Sequence, residues 1–235
     1  MEPSISFFYQ CYKQPAACRN AIESIRRIYK EAPIFLFNDG GDPVHEDIAK
    51  AFPNVHYTLC ERSSKLDCGN YPGDAKATRN YFARILTAIE GSSADYMLMM
   101  EDDVLLLRAI DLSALTCDLN GAHSMSHGHR VNDYMNWSKH NSELLHSGFG
   151  GTVMRTRFFR RVLTDPLLSS HLDTFFNELR PGPAGCDLLL TFITYVYGGT
   201  IGRYSGLCEK NWPDYGRRMA EGSIDVLHLY KDLYV

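Results

Sequence analysis

Residues 96–103 read Tyr-Met-Leu-Met-Met-Glu-Asp-Asp, an apolar run that ends in three consecutive carboxylates. The five apolar residues have the length and composition of a strand that is buried on both faces of a parallel sheet. Ligands of open α/β sheets bind at the carboxyl ends of the strands, and three adjacent acids resist desolvation unless a cation lies among them. This stretch therefore predicts a buried strand with a site for a divalent metal and part of a ligand at its end. A solvated turn after a core strand is the alternative that the stretch alone leaves open.

The residues before these acids alternate between strand-like and helix-like patterns. Apolar runs typical of buried strands stand at 5–10, 34–37 and 96–100, and residues 55–59 are predicted as a further strand. Apolar residues at helical spacing fill the segments between them, at 16–30, 42–52 and 74–89. The β-α-β-α-β-α-β order predicts an α/β fold with a Rossmann-like, mostly parallel sheet that is flanked by helices and joined by right-handed crossovers.

The second half of the chain is less regular. A glycine-hinged turn leads into a strand at 148–155, and a short alternating segment spans 226–231. Helix-like patterns stand between them at 157–163, 171–180 and 188–195. Because no linker-like stretch separates the halves, we expect a single domain over residues 1–235.

Composition excludes several classes of protein. A net charge of −4 gives no electrostatic reason to expect a nucleic-acid partner. The chain has no run of eighteen apolar residues and no basic region followed by a short apolar one, so we expect neither a transmembrane segment nor a signal peptide. The seven cysteines contain no Cys-x-x-Cys pair, which favours reduced thiols and a cytoplasmic location.

Four motifs in order give the chain a family resemblance. They are Tyr9-Gln10 at the end of the first strand, Asn38-Asp39-Gly40 at the end of the second, Asn70-Tyr-Pro-Gly73 with Lys76-Ala-Thr-Arg79-Asn80 at a helix start, and Glu101-Asp102-Asp103 after the fourth strand. This order resembles nucleotide-sugar-dependent glycosyltransferases of the GT-A fold, and its pattern is most similar to that of family-2 enzymes. The three acids stand where that family has its D-x-D motif, and their E-D-D spelling is more like that of N-acetylglucosaminyltransferase I.

The resemblance implies an activity and a separate binding function for each half of the chain. Residues 1–104 would bind the nucleotide sugar and residues 105–235 the acceptor, a carbohydrate or glycoprotein hydroxyl. The implied reaction is metal-dependent, inverting transfer from a nucleotide-diphosphate sugar, with a UDP-sugar as the expected donor. Asp103 is the implied metal ligand and His228 completes the coordination; hard oxygens suit Mn²⁺ or Mg²⁺, and an imidazole favours Mn²⁺. The implied donor-binding residues are Tyr9, Gln10, Asn38, Asp39, Lys76, Arg79, Glu101, Asp102, Gly150, Gly151 and Lys231.

The charges at 76 and 79 support an anionic ligand independently of the resemblance. Lys76 and Arg79 follow Asp74 within the first turns of a predicted helix, where the helix dipole disfavours cations. A phosphate bound at the same helix start would reverse that preference. Two solvent-facing cations on an amphipathic helix are the alternative.

Asp187 is the candidate general base. Inverting transfer needs a carboxylate that deprotonates the acceptor hydroxyl, and the family places one near a helix start. Here the pair is Cys186-Asp187, which departs from the family's pair of acids at its first position. A helix N-cap explains Asp187 almost as well. Asp173 and Glu178 are competing candidates.

Three histidines stand close together in the irregular second half of the chain. His123, His127 and His129 have a spacing that suits zinc, but no acid or cysteine stands nearby at ligand spacing, so we expect a loop over the acceptor site instead.

The rival functions are a retaining glycosyltransferase on the same fold, a sugar nucleotidyltransferase, and a catalytically silent sugar-binding module. The nucleotidyltransferase is disfavoured because the chain has no glycine-rich first loop that carries a lysine.

Overall fold

The structure, a computed structural model, describes residues 3–61, 75–124, 145–147, 150–179 and 186–232. The strands are β1 (Ile5–Cys11), β2 (Ile34–Asn38), β3 (Val55–Leu59), β4 (Tyr96–Met100), β5 (Leu105–Leu106), β6 (Leu119–Asn120), β7 (Ala122–Ser124), β8 (Leu145–Ser147), β9 (Val153–Arg155), β10 (Ile201–Gly202), β11 (Leu207–Glu209) and β12 (Val226–His228). The helices are α1 (Pro15–Ile28), α2 (Val44–Lys50), α3 (Ala75–Glu90), α4 (Thr156–Leu163), α5 (Leu168–Thr174), α6 (Cys186–Val196) and α7 (Tyr215–Ala220), with a 3₁₀ turn at Leu112–Ala114 and a π-helical turn at Phe175–Leu179.

A seven-stranded sheet in the order β10-β6-β9-β4-β1-β2-β3 forms the centre of the molecule. Strands β4, β1, β2 and β3 are parallel neighbours, as the alternating pattern of the first hundred residues predicted. Strand β9 runs antiparallel to both β4 and β6, while β10 pairs in parallel with β6. The predicted α/β fold with a mostly parallel sheet is confirmed.

The two faces of the sheet bury alternate residues of the same strands. Phe8 of β1 and Met99 of β4 pack with α3, α4, α5 and α6 on one face. Tyr9 and Met100 pack on the other face with α1 and α2. Because every residue of β1 and β4 is buried on one face or the other, these strands read as unbroken apolar runs in the sequence.

A smaller sheet in the order β11-β12-β5 brings the carboxyl-terminal part of the chain to the acidic turn. Strand β5 begins at Leu105, two residues after Asp103, and runs antiparallel to β12. Strand β12 is parallel to β11, with His228 opposite Glu209. The remaining strands, β7 and β8, form a separate antiparallel pair. In the described part of the chain, no helix is long and apolar enough to cross a membrane.

Candidate active site

The three acids occupy a turn at the end of β4, which lies inside the seven-stranded sheet. The Val104 N–H donates to the carbonyl of Glu101 at 3.1 Å and closes the turn. Asp103 is buried with 6% of its surface exposed, while Glu101 and Asp102 are half-buried. The turn therefore places three carboxylates at the carboxyl edge of the sheet, where α/β proteins bind their ligands.

His228, the last residue of β12, faces two of these acids. Its Nε2 lies 3.7 Å from Oε2 of Glu101 and 3.7 Å from Oδ1 of Asp103. One ligand atom from each of the three residues lies within 4.8 Å of the other two. The Tyr230 N–H also donates to the carbonyl of Asp103 at 2.9 Å, which ties the acidic turn to the segment that follows β12. Two carboxylates and an imidazole in this arrangement can hold a divalent cation such as Mn²⁺.

Glu209 orients the imidazole from the opposite side. Its Oε1 lies 3.2 Å from Nδ1 of His228. A carboxylate on one ring nitrogen fixes the tautomer that leaves the other nitrogen able to bind a metal. Sequence reasoning missed Glu209, because its link to His228 arises from the pairing of β11 with β12 and leaves no spacing signal in the chain.

Gly150 leaves the space that the histidine ring occupies. A Cβ at this position would lie 2.7 Å from Nε2 of His228 and 2.9 Å from Cγ2 of Val104. The neighbouring Gly151 has φ +83° and donates its N–H to the carbonyl of Met99, next to the acidic turn. A side chain at Gly150 would displace the imidazole, and Gly151 adopts a backbone conformation that favours glycine.

Tyr9 lies beneath the acidic turn. It is fully buried, and its hydroxyl donates to Oδ1 of Asp102 at 2.9 Å. Burial raises the pKa of the Tyr9 phenol well above its usual value, and the charge of Asp102 raises it further. The phenol therefore stays protonated and acts as a fixed donor that orients the Asp102 carboxylate.

A buried ion pair lies at the ends of β1 and β2. Nη1 of Arg84 is 2.6 Å from Oδ1 of Asp39 and donates to Oε1 of Gln10 at 3.3 Å. Nη2 of Arg84 donates to the carbonyl of Glu61. Asp39 and Arg84 are only 3% and 8% exposed, so each needs the other's charge. Sequence reasoning missed Arg84, although it stands on the buried stripe of α3, three residues after Tyr81, where a charge requires a partner.

Asn38 holds the turn that presents Asp39. Its Oδ1 accepts the Gly41 N–H at 2.8 Å, and its Nδ2 donates to the carbonyl of Asp42 and to the hydroxyl of Tyr57. The side chain is fully buried in this network. The turn after β2 therefore has a fixed shape, and this shape sets the position of Asp39 within it.

Three cations that the sequence singled out lie near the site or on α3. Nζ of Lys231 is 3.8 Å from Oδ2 of Asp103, and more than half of its side chain is exposed. Lys76 and Arg79 lie in the first turns of α3, as predicted, and both are exposed.

Several predicted residues are only partly described. Asp187 is the second residue of α6, as predicted from its helix-start position, but its side chain lies outside the described residues, as does that of Glu178. Asp173 is exposed on α5. The backbone of His123 belongs to β7, while its side chain, His127, His129 and the segment Asn70–Gly73 lie outside the described residues.

Comparison with known proteins identifies the fold. No family model and no curated protein matches the sequence. The galactosyltransferase LgtC, solved in complex with donor and acceptor sugar analogues, has a TM-score of 0.62 at 10% identity, covering 94% of this chain and 86% of LgtC. The bifunctional glycosyltransferase WbbM reaches 0.56 at 11% identity, covering 97% of this chain and 46% of WbbM. GlyE of Streptococcus pneumoniae TIGR4 reaches 0.51 at 12% identity, covering 95% of this chain and 54% of GlyE. The chain therefore has the fold of these glycosyltransferases, as the order of motifs predicted, while the family-2 pattern stays a prediction.

Proposed function

We propose that the chain is a metal-dependent glycosyltransferase that uses a nucleotide-diphosphate sugar, with a UDP-sugar as the expected donor. The observation that carries the proposal is the cluster of Glu101, Asp103 and His228 at the carboxyl end of a central strand. The shared fold with solved glycosyltransferases supports the same conclusion. The fold gives the cluster its meaning, because one fold hosts many functions and the site decides among them.

The donor set fits Mn²⁺. Two carboxylate oxygens and one imidazole nitrogen lie within 4.8 Å of one another, and Gly150 contributes no side chain to the space beside the imidazole. Glu101, Asp103 and His228 would hold the ion, with Glu209 fixing the imidazole. A bound ion would neutralise the charge that develops on the departing diphosphate.

The protein's own residues would bind the donor around this cluster. Lys231 lies beside Asp103 and provides a positive charge for a phosphate. Lys76 and Arg79 add charge at the amino end of α3, where backbone N–H groups also attract anions. Asp39, held by Arg84, would accept hydrogen bonds from the base or ribose, and Asp102, held by Tyr9, would contact the ribose.

On the acceptor side, the proposed mechanism depends on Asp187, the predicted general base. As a general base it would remove the proton from the acceptor hydroxyl while the sugar is transferred with inversion. Asp173 and Glu178 remain alternatives for this role. Retention of configuration would instead make Asp187 a binding residue. The anomeric configuration of the product, read by NMR, distinguishes the two stereochemical outcomes.

The test combines binding and turnover. Calorimetry with UDP should show binding that needs Mn²⁺, that is lost in EDTA, and that falls at least about tenfold in Asp103→Asn because a direct ligand is removed. Glu90→Gln is the matched control, since Glu90 is an exposed acid at the end of α3, outside the site. A panel of nucleotide sugars with Mn²⁺ then identifies the donor by release of UDP. Equal affinity in EDTA, or an unchanged Asp103→Asn variant, would contradict the metal site. Metal-dependent binding without turnover on any donor would favour a silent binding module.

A further inference from the structure

A second cluster of metal-ligating side chains lies in the core between the central sheet and helices α1 and α2. Cys11 ends β1, Cys18 belongs to α1, and His45 belongs to α2. The two thiol sulfurs and one ring nitrogen of the histidine lie within 4.8 Å of one another. All three residues are buried, with at most 1% of their surface exposed. The proposed transfer reaction uses none of them.

The hydrogen bonding of His45 leaves one ring nitrogen available. Nδ1 lies 2.7 Å from the carbonyl of Asp42, and because a carbonyl only accepts, Nδ1 carries the proton. Nε2 then carries the lone pair, and it is buried without a hydrogen-bond partner among the described residues. A buried polar atom without a partner costs about 1–3 kcal/mol, so its persistence calls for an explanation. An N–H donated to a backbone carbonyl is also the arrangement that orients metal-ligating histidines.

The Cys11 thiol is neutral in the metal-free protein. Burial raises the pKa of the Cys11 thiol strongly, and the neighbouring Cys18 raises it further. The Cys11 thiol makes a weak hydrogen bond to the carbonyl of Phe37 at 3.7 Å and also interacts with the Cys18 thiol. Two thiolates at this depth would need a cation between them.

We propose that Cys11, Cys18 and Nε2 of His45 form a binding site for a thiophilic d¹⁰ metal ion, Zn²⁺ or Cu⁺. Three atoms no more than 4.8 Å apart all lie within about 2.8 Å of a common centre. Bonds from zinc to thiolate sulfur and imidazole nitrogen are about 2.0–2.3 Å long, so the ligands need to move by less than about 1 Å. Sulfur ligands select Zn²⁺ and Cu⁺ over Mg²⁺ and Mn²⁺, and binding releases the two thiol protons.

The site would join three elements beneath the candidate active site. The carbonyl of Cys11 accepts the Asp39 N–H at 2.9 Å, so the strand end that carries the first thiol also supports Asp39. An ion on Cys11, Cys18 and His45 would tie β1 to α1 and α2 at that point. We therefore expect it to stabilise the folded chain rather than to take part in sugar transfer.

Titration of the reduced, metal-free chain with Co²⁺ tests the proposal. Cobalt bound to thiolates has an intense charge-transfer absorption in the near ultraviolet, which oxygen and nitrogen ligands do not produce. We expect this band to saturate at one equivalent, to disappear in the Cys11→Ala/Cys18→Ala double variant, and to persist in Cys117→Ala, a half-buried cysteine outside the cluster. The His45→Gln variant should bind cobalt at least about tenfold more weakly, because it loses a direct ligand. The Asp103→Asn variant should keep the band, so this result and the test of the transferase site are independent.

A measurement on the unmodified chain covers the case in which the buried variants fail to fold. Zinc-loaded and metal-free protein are alkylated side by side in mild denaturant, and the modified cysteines are mapped by mass spectrometry. We expect zinc to slow the modification of Cys11 and Cys18 at least about tenfold and to leave Cys117 unchanged, because a bound thiolate is no longer available to react. Absence of the charge-transfer band, a band that survives in the folded double variant, or equal alkylation with and without zinc would overturn the proposal.

Discussion

Two clusters of three metal-ligating side chains lie at the ends of neighbouring parallel strands, and they differ in the type of their other two ligands and in exposure. Tyr9 of β1 is paired with Met100 of β4, so Cys11 and Asp102 both lie two residues beyond the same rung of the sheet. The oxygen-rich cluster of Glu101, Asp103 and His228 lies at the edge of the sheet with partly exposed side chains. The sulfur-rich cluster of Cys11, Cys18 and His45 is sealed in the core.

The two proposed sites would use histidine in the same way. Each imidazole has one nitrogen fixed by an oxygen, a carboxylate from Glu209 in one case and the carbonyl of Asp42 in the other. The remaining ligands then set ion preference, because carboxylates favour hard cations and thiolates favour soft ones. The two proposed sites also differ in access. A substrate phosphate could approach the oxygen-rich cluster, whereas an ion in the buried sulfur-rich cluster would stabilise the fold.

Inverting sugar transfer at the oxygen-rich cluster requires a general base. The Asp187→Asn variant tests whether Asp187 is that base. Asparagine caps a helix about as well as aspartate but cannot accept a proton at neutral pH. We expect normal folding and donor binding, while transfer at saturating donor falls by roughly 10²–10⁴. The matched variants are Asp173→Asn and Glu178→Gln, which should keep full turnover. If Asp187→Asn keeps more than about a tenth of the turnover, the loss is too small for a general base and one of the other two acids takes that role.

Glu209→Gln tests whether the partner of the imidazole matters as it does in other metal sites. The amide keeps the shape of the side chain but removes the charge that orients His228 and raises its basicity. Mn²⁺ affinity, measured by calorimetry, should fall by roughly 10–100-fold while the melting temperature changes little. Glu221→Gln is the control, since Glu221 forms only an exposed ion pair with Arg217. Unchanged Mn²⁺ affinity would mean that Glu209 is a packing residue.

Gly150→Ala tests the space beside the imidazole. The added methyl would lie 2.7 Å from Nε2 of His228, so the ring must move. We expect Mn²⁺ affinity to fall by about tenfold, at the lower end of the effect of disturbing a ligand's surroundings. Overpacking should also lower the free energy of unfolding by about 1–3 kcal/mol. Gly216→Ala on α7 is the control, because a Cβ there meets nothing within 4 Å. Full Mn²⁺ affinity in Gly150→Ala would show that the ring does not need this position.

Variants of the two cations on α3 should change UDP affinity more than stability. Replacing Lys76 or Arg79 by Gln relieves an unfavourable interaction with the helix dipole, so stability should hold or rise by up to about 1 kcal/mol. Affinity for UDP should fall, because a positive charge near the diphosphate is lost. Melting curves and calorimetry on each variant separate the two effects. A variant that binds UDP normally but melts earlier would make these residues structural.

Much of the sheet was predictable because its strands β1, β2 and β4 are buried on both faces. Such strands read as continuous apolar runs, and the residues that follow them, such as Asp39 and Asp103, are predicted to lie together at one edge. The direction of strand β9 was harder to predict from the sequence. It is antiparallel because β9 pairs with β4 and β6, and its three residues alone do not indicate this. His228 was predicted only through the family resemblance, because nothing in an alternating segment distinguishes a ligand from a packed histidine.

The residues that sequence reasoning missed share one cause. Arg84, Glu209 and the cluster of Cys11, Cys18 and His45 all depend on contacts between separate elements. Spacing along the chain does not show which residues form these contacts, and the two thiols meet without a Cys-x-x-Cys pair. Only the packing of α1 and α2 onto β1 brings them together.

The pairing of β12 with β11 and β5 has a consequence for the order of events during synthesis. The three sulfur and nitrogen donors of the buried cluster are all translated by residue 45, whereas the imidazole at 228 is among the last of the described residues. A ribosome that adds about 5–20 residues per second would expose the first set roughly 10–40 s before the second. The residues of the proposed sulfur-rich site are therefore made long before the oxygen-rich cluster can be completed.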